Sequence, residues 1–262
     1  MGRSDKRYEP MIDEQIRDRL VREYLDETND VLNNFDVALG NVSSDTSKAS
    51  SEFLRLFGAF SVLRVQGRGL ETTLLDITLQ RLCEYLDDLQ IAEQKIISDL
   101  QFYSSTLHDI VDNDRTEADI RAFSRSLPVR TPIDMDNIVQ VDVEIMLVEP
   151  NKTVAKLVSR ELRACGYRVT TLRGSIDALT YAIRTKPDMI IASAELDEIS
   201  GIDLACAIGA MPLTQKIPFA LLTSRDRDHD ALRELPEASA VIKKGGKFGD
   251  DLADALAQFD IL

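Results

Sequence analysis

Near residue 140 the hydrophobic period of the chain changes, and no single-class fold accommodates both halves. Before that point apolar residues recur at the three-to-four spacing of amphipathic helices. After it, five short apolar runs of strand length alternate with helical stretches. The length of 262 residues suits two such regions, since domains commonly run to roughly 100–200 residues.

In the first half, Ile12, Ile16, Leu20, Tyr24, Leu25, Val31, Leu32, Phe35 and Leu39 mark a helix from Met11 to about Leu39, with Gly40 expected to stop it. The polar stretch NVSSDTSKASS reads as a loop. Helices follow over about Ser51–Val65, broken by Gly67 and Gly69, then Leu70–Leu89 and Ile91–Val111, with a short helix in TEADIRAFSRSL. The economical expectation is an antiparallel four-helix bundle over residues 9–126, behind a flexible tail at 1–8. Pro128 and Pro132 mark a linker over 127–142.

Residues 143–262 read as strand–helix repeated five times. The strands are VEIMLVEP, YRVTTLRG, DMIIASA, PFALLTS and AVIKKG; DHDALREL, between the last two, reads as helical. Strands apolar throughout are buried parallel strands, so the expected fold is a doubly wound five-stranded sheet with any ligand at the C-terminal strand ends. The fold class is thus α plus α/β in two domains.

Composition removes several functions. Acidic side chains outnumber basic ones 45 to 31, a net charge of −14, split as 26 against 16 before residue 141 and 19 against 15 after it. No basic run is present to track a phosphate backbone, so nucleic acid is not an expected partner. The polar start MGRSDKRYEP is no secretory signal, and no run reaches the ~18 apolar residues of a membrane helix. The scattered Cys83, Cys165 and Cys206 suggest reduced thiols. A cytoplasmic location, no membrane partner, no metal and no cofactor are the expectations.

With those residues in view, 143–262 resembles a receiver domain, the phosphorylatable module of response regulators. IMLVEP matches its first strand, PDMIIASAELDEISG its third strand and loop, PFALLTS its fourth and AVIKKG its fifth. Position 193 lies 44 residues after Glu149, and Thr223 a further 30 on. The resemblance implies a phosphoacceptor aspartate at 193, where this chain has Ser193, and an acidic pair where it has Glu149-Pro150. Thr223 and Lys244 are kept; the proline that usually follows the lysine is Gly245. A serine hydroxyl needs an adjacent general base to become a nucleophile, and one carboxylate is a poor magnesium site. The plainer role for Lys244 is to pair with Glu149 and hold the pocket closed.

The first half resembles a histidine phosphotransfer domain of the type that opens chemotaxis kinases. VREYLDETNDVLNNFDVAL is similar to its first helix. FGAFSVLRV, laid on FRxxHTLKG, aligns Phe57, Leu63 and Arg64 and places Ser61 where the phosphorylated histidine belongs. Serine phosphate is a stable ester and a poor donor. His108, in LHDIVDN, reads as a surface histidine near a helix end, and His229 as a solvated residue at a helix start.

The expected function is non-enzymatic: a two-component signalling protein that binds a histidine kinase, phosphotransfer protein or receiver and modulates a phosphorelay without carrying phosphate. Phe57, Ser61 and Arg64 mark the expected docking surface. The alternatives are phosphotransfer through His108 and a scaffold that dimerises through the helical bundle with a receiver-like head.

Overall fold

The computed structural model describes residues 10–87, 89–113, 117–130, 141–226 and 229–261, with side chains described from residue 14. The flexible-tail expectation for 1–8 and most of the expected linker, 131–140, lie outside them. The chain divides into two compact units, residues 1–118 and 119–262.

In the first unit, α1 (Pro10–Ser44), α2 (Ala49–Gln66), α3 (Thr73–Leu86) and α4 (Gln94–Asp112) pack in a ring, each helix against two neighbours. Leu32, Phe35 and Leu39 of α1, Phe53, Phe60 and Leu63 of α2, Leu75, Leu79 and Leu82 of α3, and Leu100, Tyr103 and Leu107 of α4 are buried. Phe35 and Phe60 meet edge to face with centroids 5.2 Å apart, as do Tyr85 and Tyr103 at 5.8 Å.

Gly40 does not stop α1, which continues to Ser44. Beyond the glycine, Val42 is wholly buried. Burying a valine is worth about 1.5–3 kcal/mol, more than the roughly 1 kcal/mol that glycine costs a helix interior. The chain leaves α1 through a 3-10 turn, Thr46–Lys48, in which Asp45 accepts a hydrogen bond from the Ser47 amide at 3.1 Å. Within this unit two glycines sit on exposed helix faces, Gly40 in α1 and Gly58 in α2, and a Cβ at either would touch nothing within 4 Å.

The second unit is a five-stranded parallel sheet of β1 (Glu144–Val148), β2 (Arg168–Leu172), β3 (Met189–Ser193), β4 (Phe219–Thr223) and β5 (Ala240–Lys243), ordered β2-β1-β3-β4-β5. Every residue of β1, β3 and β4 is buried, as strands covered on both faces require. α6 (Lys152–Ala164) and α9 (Phe248–Gln258) share one core with Ile145, Leu147, Ile191, Leu222 and Ile242. α7 (Ser175–Thr185) and α8 (Gly201–Ala210) pack on each other and on the sheet.

Two expectations are corrected here. The helix read in DHDALREL is only a 3-10 turn, Asp230–Leu232, among the described residues. The segment offers just Leu232 and Leu235 to bury, and Pro236 disfavours helical geometry in the residue before it. The second correction concerns α5 (Ile120–Ser126), which the sequence reading assigned to the bundle and which belongs to the second unit.

The Asp119 side chain caps α5, and its Phe123 is buried, as is Leu127 just beyond the helix. Arg121 and Arg125, one helical turn apart, each hydrogen-bond Asp188 at 2.5 Å, and Asp188 also accepts from the Glu144 amide at 2.7 Å. One carboxylate thus ties α5 to the start of β1 and β3. Asp188→Ala should destabilise this unit by about 2–3 kcal/mol, the scale for losing charge-assisted hydrogen bonds in a half-buried setting. Chemical denaturation followed on β1 and β3 amides checks it, and a loss below about 0.5 kcal/mol would mean the clamp is ornamental.

Candidate functional site

The C-terminal ends of the parallel strands bring Glu149, Ser193, Thr223 and Lys244 together. Glu149 follows β1, Ser193 ends β3, Thr223 ends β4 and Lys244 follows β5. Pairings Ser193↔Leu222 and Thr223↔Lys243 hold these ends level. The first residue of α8 approaches so closely that a Cβ on Gly201 would lie 2.1 Å from the Ser193 carbonyl oxygen. Only glycine fits, and it fixes the backbone at Ser193.

Lys244 spans the site. Its Nζ donates to Glu149 Oε2 at 2.8 Å and to Ser193 Oγ at 3.1 Å. Glu149 is only 2% exposed, and its other oxygen accepts from the Asn151 amide at 3.0 Å. Both carboxylate oxygens are therefore engaged. Thr223 contributes its carbonyl to the Lys244 amide at 2.7 Å and its hydroxyl to the Arg225 amide at 3.1 Å. Pro150 offers only its carbonyl, which accepts from Arg173 at 3.1 Å. Gly245 has φ +136°, a conformation closed to proline, whose ring fixes φ near −65°.

Three supporting groups escaped the sequence reading. Asn151 caps α6, accepting from the amides of Thr153 and Val154; an Asn ahead of an apolar helical run was a readable signal. Glu198, in the loop after β3, accepts from the Ser175 amide and hydroxyl, both at 2.8 Å, clasping that loop to the start of α7. Those bonds hold its carboxyl below the usual range. Arg173 left no signal in the sequence, because its partner is a backbone carbonyl.

No family model matches the chain. Among curated proteins it is 28% identical over 93 residues to the probable transcriptional regulatory protein TcrX of Mycobacterium tuberculosis, a match covering 36% of this chain and 39% of that protein. It is 28% identical over 92 residues to the phosphate regulon transcriptional regulatory protein PhoB of Rhizobium meliloti, covering 35% and 40%. It is 33% identical over 60 residues to the polar-differentiation response regulator DivK of Brucella anthropi, covering 23% and 49%. The second unit has the receiver fold. The chain matches about two fifths of the length of the first two relatives. Among solved structures, the receiver domain of the sensor kinase PA1611 from Pseudomonas aeruginosa, described with a magnesium ion in its active-site cleft, is 25% identical, with TM-score 0.41 over 45% of this chain and 98% of that one.

The resemblance to receivers implies a magnesium ion at these strand ends, and the residues of the second unit do not fit one. Magnesium requires near-octahedral oxygen coordination. Here the one carboxylate is bonded to an ammonium and an amide, and Pro150 has no side-chain oxygen. Ser193 Oγ has a cation, not a base, as its neighbour.

In the helical unit, Ser61 and Arg64 do not lie on the outermost face of α2. Both are half-buried, with Ser61 Oγ 3.9 Å from Cys83 Sγ of α3 and Arg64 beside the same thiol. Burial pushes the Cys83 thiol up to about 11. Phe57 is also half-buried, whereas Leu54, Val62 and Val65 stand out in solvent. His108 sits on α4 with Nε2 2.9 Å from Asp36 of α1 and Nδ1 3.4 Å from Asp112. Asp36 also accepts from Ser104 at 2.5 Å. His229 Nδ1 accepts from the Ala231 amide at 3.1 Å and caps the turn after β4. No helix among the described residues is long and apolar enough to cross a membrane.

Proposed function

We propose that this chain is a non-enzymatic two-component signalling protein. It engages a histidine kinase, phosphotransfer protein or receiver and modulates a phosphorelay without carrying phosphate itself. The observation that carries this reading is the Lys244 ammonium lying between Glu149 and Ser193, at 2.8 and 3.1 Å. A phosphoryl acceptor must present an ionised or activated oxygen, and the transfer needs a metal to neutralise the phosphoryl oxygens. Ser193 has neither activation nor metal ligands beside it.

The helical unit is read in the same way, as a phosphotransfer-type bundle whose acceptor position is Ser61. Phosphotransfer through His108 finds less support, because both ring nitrogens face carboxylates and the more closely held one is Nε2. On this reading the expected location is the cytoplasm, and the chain has no resident cofactor.

The full chain, incubated with a labelled autophosphorylating kinase and separately with acetyl phosphate and magnesium, should take up no more phosphate than its Ser193→Ala variant. Stoichiometric label that disappears in Ser193→Ala or in His108→Ala would overturn the reading. So would saturable beryllofluoride-plus-magnesium shifts at the Glu149, Ser193 and Thr223 amides.

A further inference from the structure

With seven residues, α5 is the shortest α-helix among the described residues, and in the chain it stands where the first unit gives way to the second. Isolated helices below ~12 residues are marginal in water, so α5 persists because it is docked. Phe123 and Leu127 are its buried apolar anchors, and the helix packs on α7. Around them Arg121 and Arg125 hold Asp188, Arg125 also reaches Asp142 Oδ2 at 3.1 Å, and Arg168 of β2 donates to the Leu127 carbonyl at 2.9 Å. The core that α6 and α9 share with the sheet contains no side chain of α5. Departure of α5 therefore leaves that core intact, and the departed helix melts. It has one folded, docked state and one unfolded, released state.

These two states give the chain different lengths of tether. With α5 docked, the covalent connection from the end of α4 to the second unit is residues 113–119, seven in all. With α5 released, it runs over residues 113–143 to the start of β1, thirty-one in all. At about 3.5 Å per residue, the greatest reach rises from roughly 25 Å to roughly 110 Å. The root-mean-square span of a flexible chain grows as the square root of its length, here about twofold. The effective concentration of one unit around the other falls as roughly the −3/2 power of that length, about tenfold.

We infer that α5 is a releasable strap whose docking on the second unit sets the reach between the two units. The inference goes beyond the partner-binding reading above and does not depend on it. Two buried side chains and one shared carboxylate are a small anchor, of the kind that opens ahead of a whole domain. The clamp is also partly wet: the Arg121 side chain keeps 46% exposure and that of Asp188 23%. Salt therefore reaches it and weakens it. Any anion that draws the two arginines from Asp188 favours release, and the switch needs no phosphoryl group on the chain.

The test uses the full chain. Hydrogen exchange should show the Ala122 and Phe123 amides opening before those of β1 and β3, and faster as salt rises from about 50 to 500 mM. Arg121→Glu/Arg125→Glu should speed α5 exchange at least about tenfold while β1 and β3 stay protected. Asp119→Ala, which removes the cap of α5, should speed it about fivefold. Arg160→Glu/Lys216→Glu makes the same change of charge at exposed positions and should leave it within about twofold. Reach is read from spin–spin distances between labels on Cys165 and on Val37→Cys, both exposed positions, in a Cys206→Ser background. The arginine double variant should widen that distance distribution about twofold.

If the α5 amides of the unaltered chain exchange together with those of β1 and β3, the helix opens only with its whole unit and is no strap. If the arginine double variant leaves α5 protected, the clamp is not what holds it. If α5 loses protection and the spin distances do not widen, its docking does not set the reach. Each of these results overturns the inference and leaves the partner-binding reading to the phosphate-uptake test above.

Discussion

Lys244→Ala should cost the receiver unit about 2–4 kcal/mol. Removing one member of a buried ion pair strands the other charge, at a cost of roughly 3–5 kcal/mol when both are fully enclosed. Glu149 is enclosed, while the Lys244 side chain keeps 30% exposure, so the lower range applies. The partner variant separates the pair from its parts. Glu149→Gln combined with Lys244→Met removes both charges and should recover most of the loss, whereas Ser193→Ala should stay within about 0.5 kcal/mol. Urea denaturation followed on β1 and β3 amides keeps the two units apart in the measurement. A Lys244→Ala loss no larger than that of Ser193→Ala would show that the clasp is incidental to stability.

Carboxylates placed at positions 150 and 193 should create a magnesium site at these strand ends. The double variant Pro150→Asp/Ser193→Asp places three acidic side chains at the strand ends and gives Lys244 a second anion to contact. Mg²⁺ affinity is expected to rise at least about tenfold over the unaltered chain, roughly 1.4 kcal/mol. Uptake of phosphate from acetyl phosphate should appear only in the variant. The backbone needs no rebuilding, since Gly201 already fixes Ser193 and the sheet register sets the other ends. Absence of any magnesium-dependent shift in a folded double variant would place the defect in the scaffold, with Gly245 the first suspect because its φ of +136° redirects the loop behind Lys244.

The receiver half was legible because its strands carry their signal locally. Five apolar runs of the right length, separated by helical stretches, leave little choice of sheet, and level strand ends gather Glu149, Ser193, Thr223 and Lys244. Periodicity reports that a face is buried without saying against what. The unit to which α5 belongs is therefore not legible from its own residues: its partner Asp188 lies 67 residues from Arg121, and nothing local announces the pair. The same limit hid the tilt of Ser61 and Arg64 toward Cys83. Gly40 misled for a different reason, since a breaker's weak preference yields to the burial of Val42 one turn-fraction on. In DHDALREL the helical spacing was present but too few apolar residues stood behind it.

That short 3-10 turn between β4 and β5 has an effect on how the receiver unit breathes. The other connections between strands are helices of ten to thirteen residues, whereas the described residues between β4 and β5 hold only this turn with one buried leucine, and β5 takes its cover from α9. Opening free energies follow the apolar contact that must be broken, so the turn itself is expected to open more readily than the helix-covered strands. β5 leads directly into Lys244. Fluctuations that lift β5 from α9 would therefore reach the one cation on which the clasp depends. A partner that grips or frees this edge would act on the pocket through local melting, with no phosphate in the message.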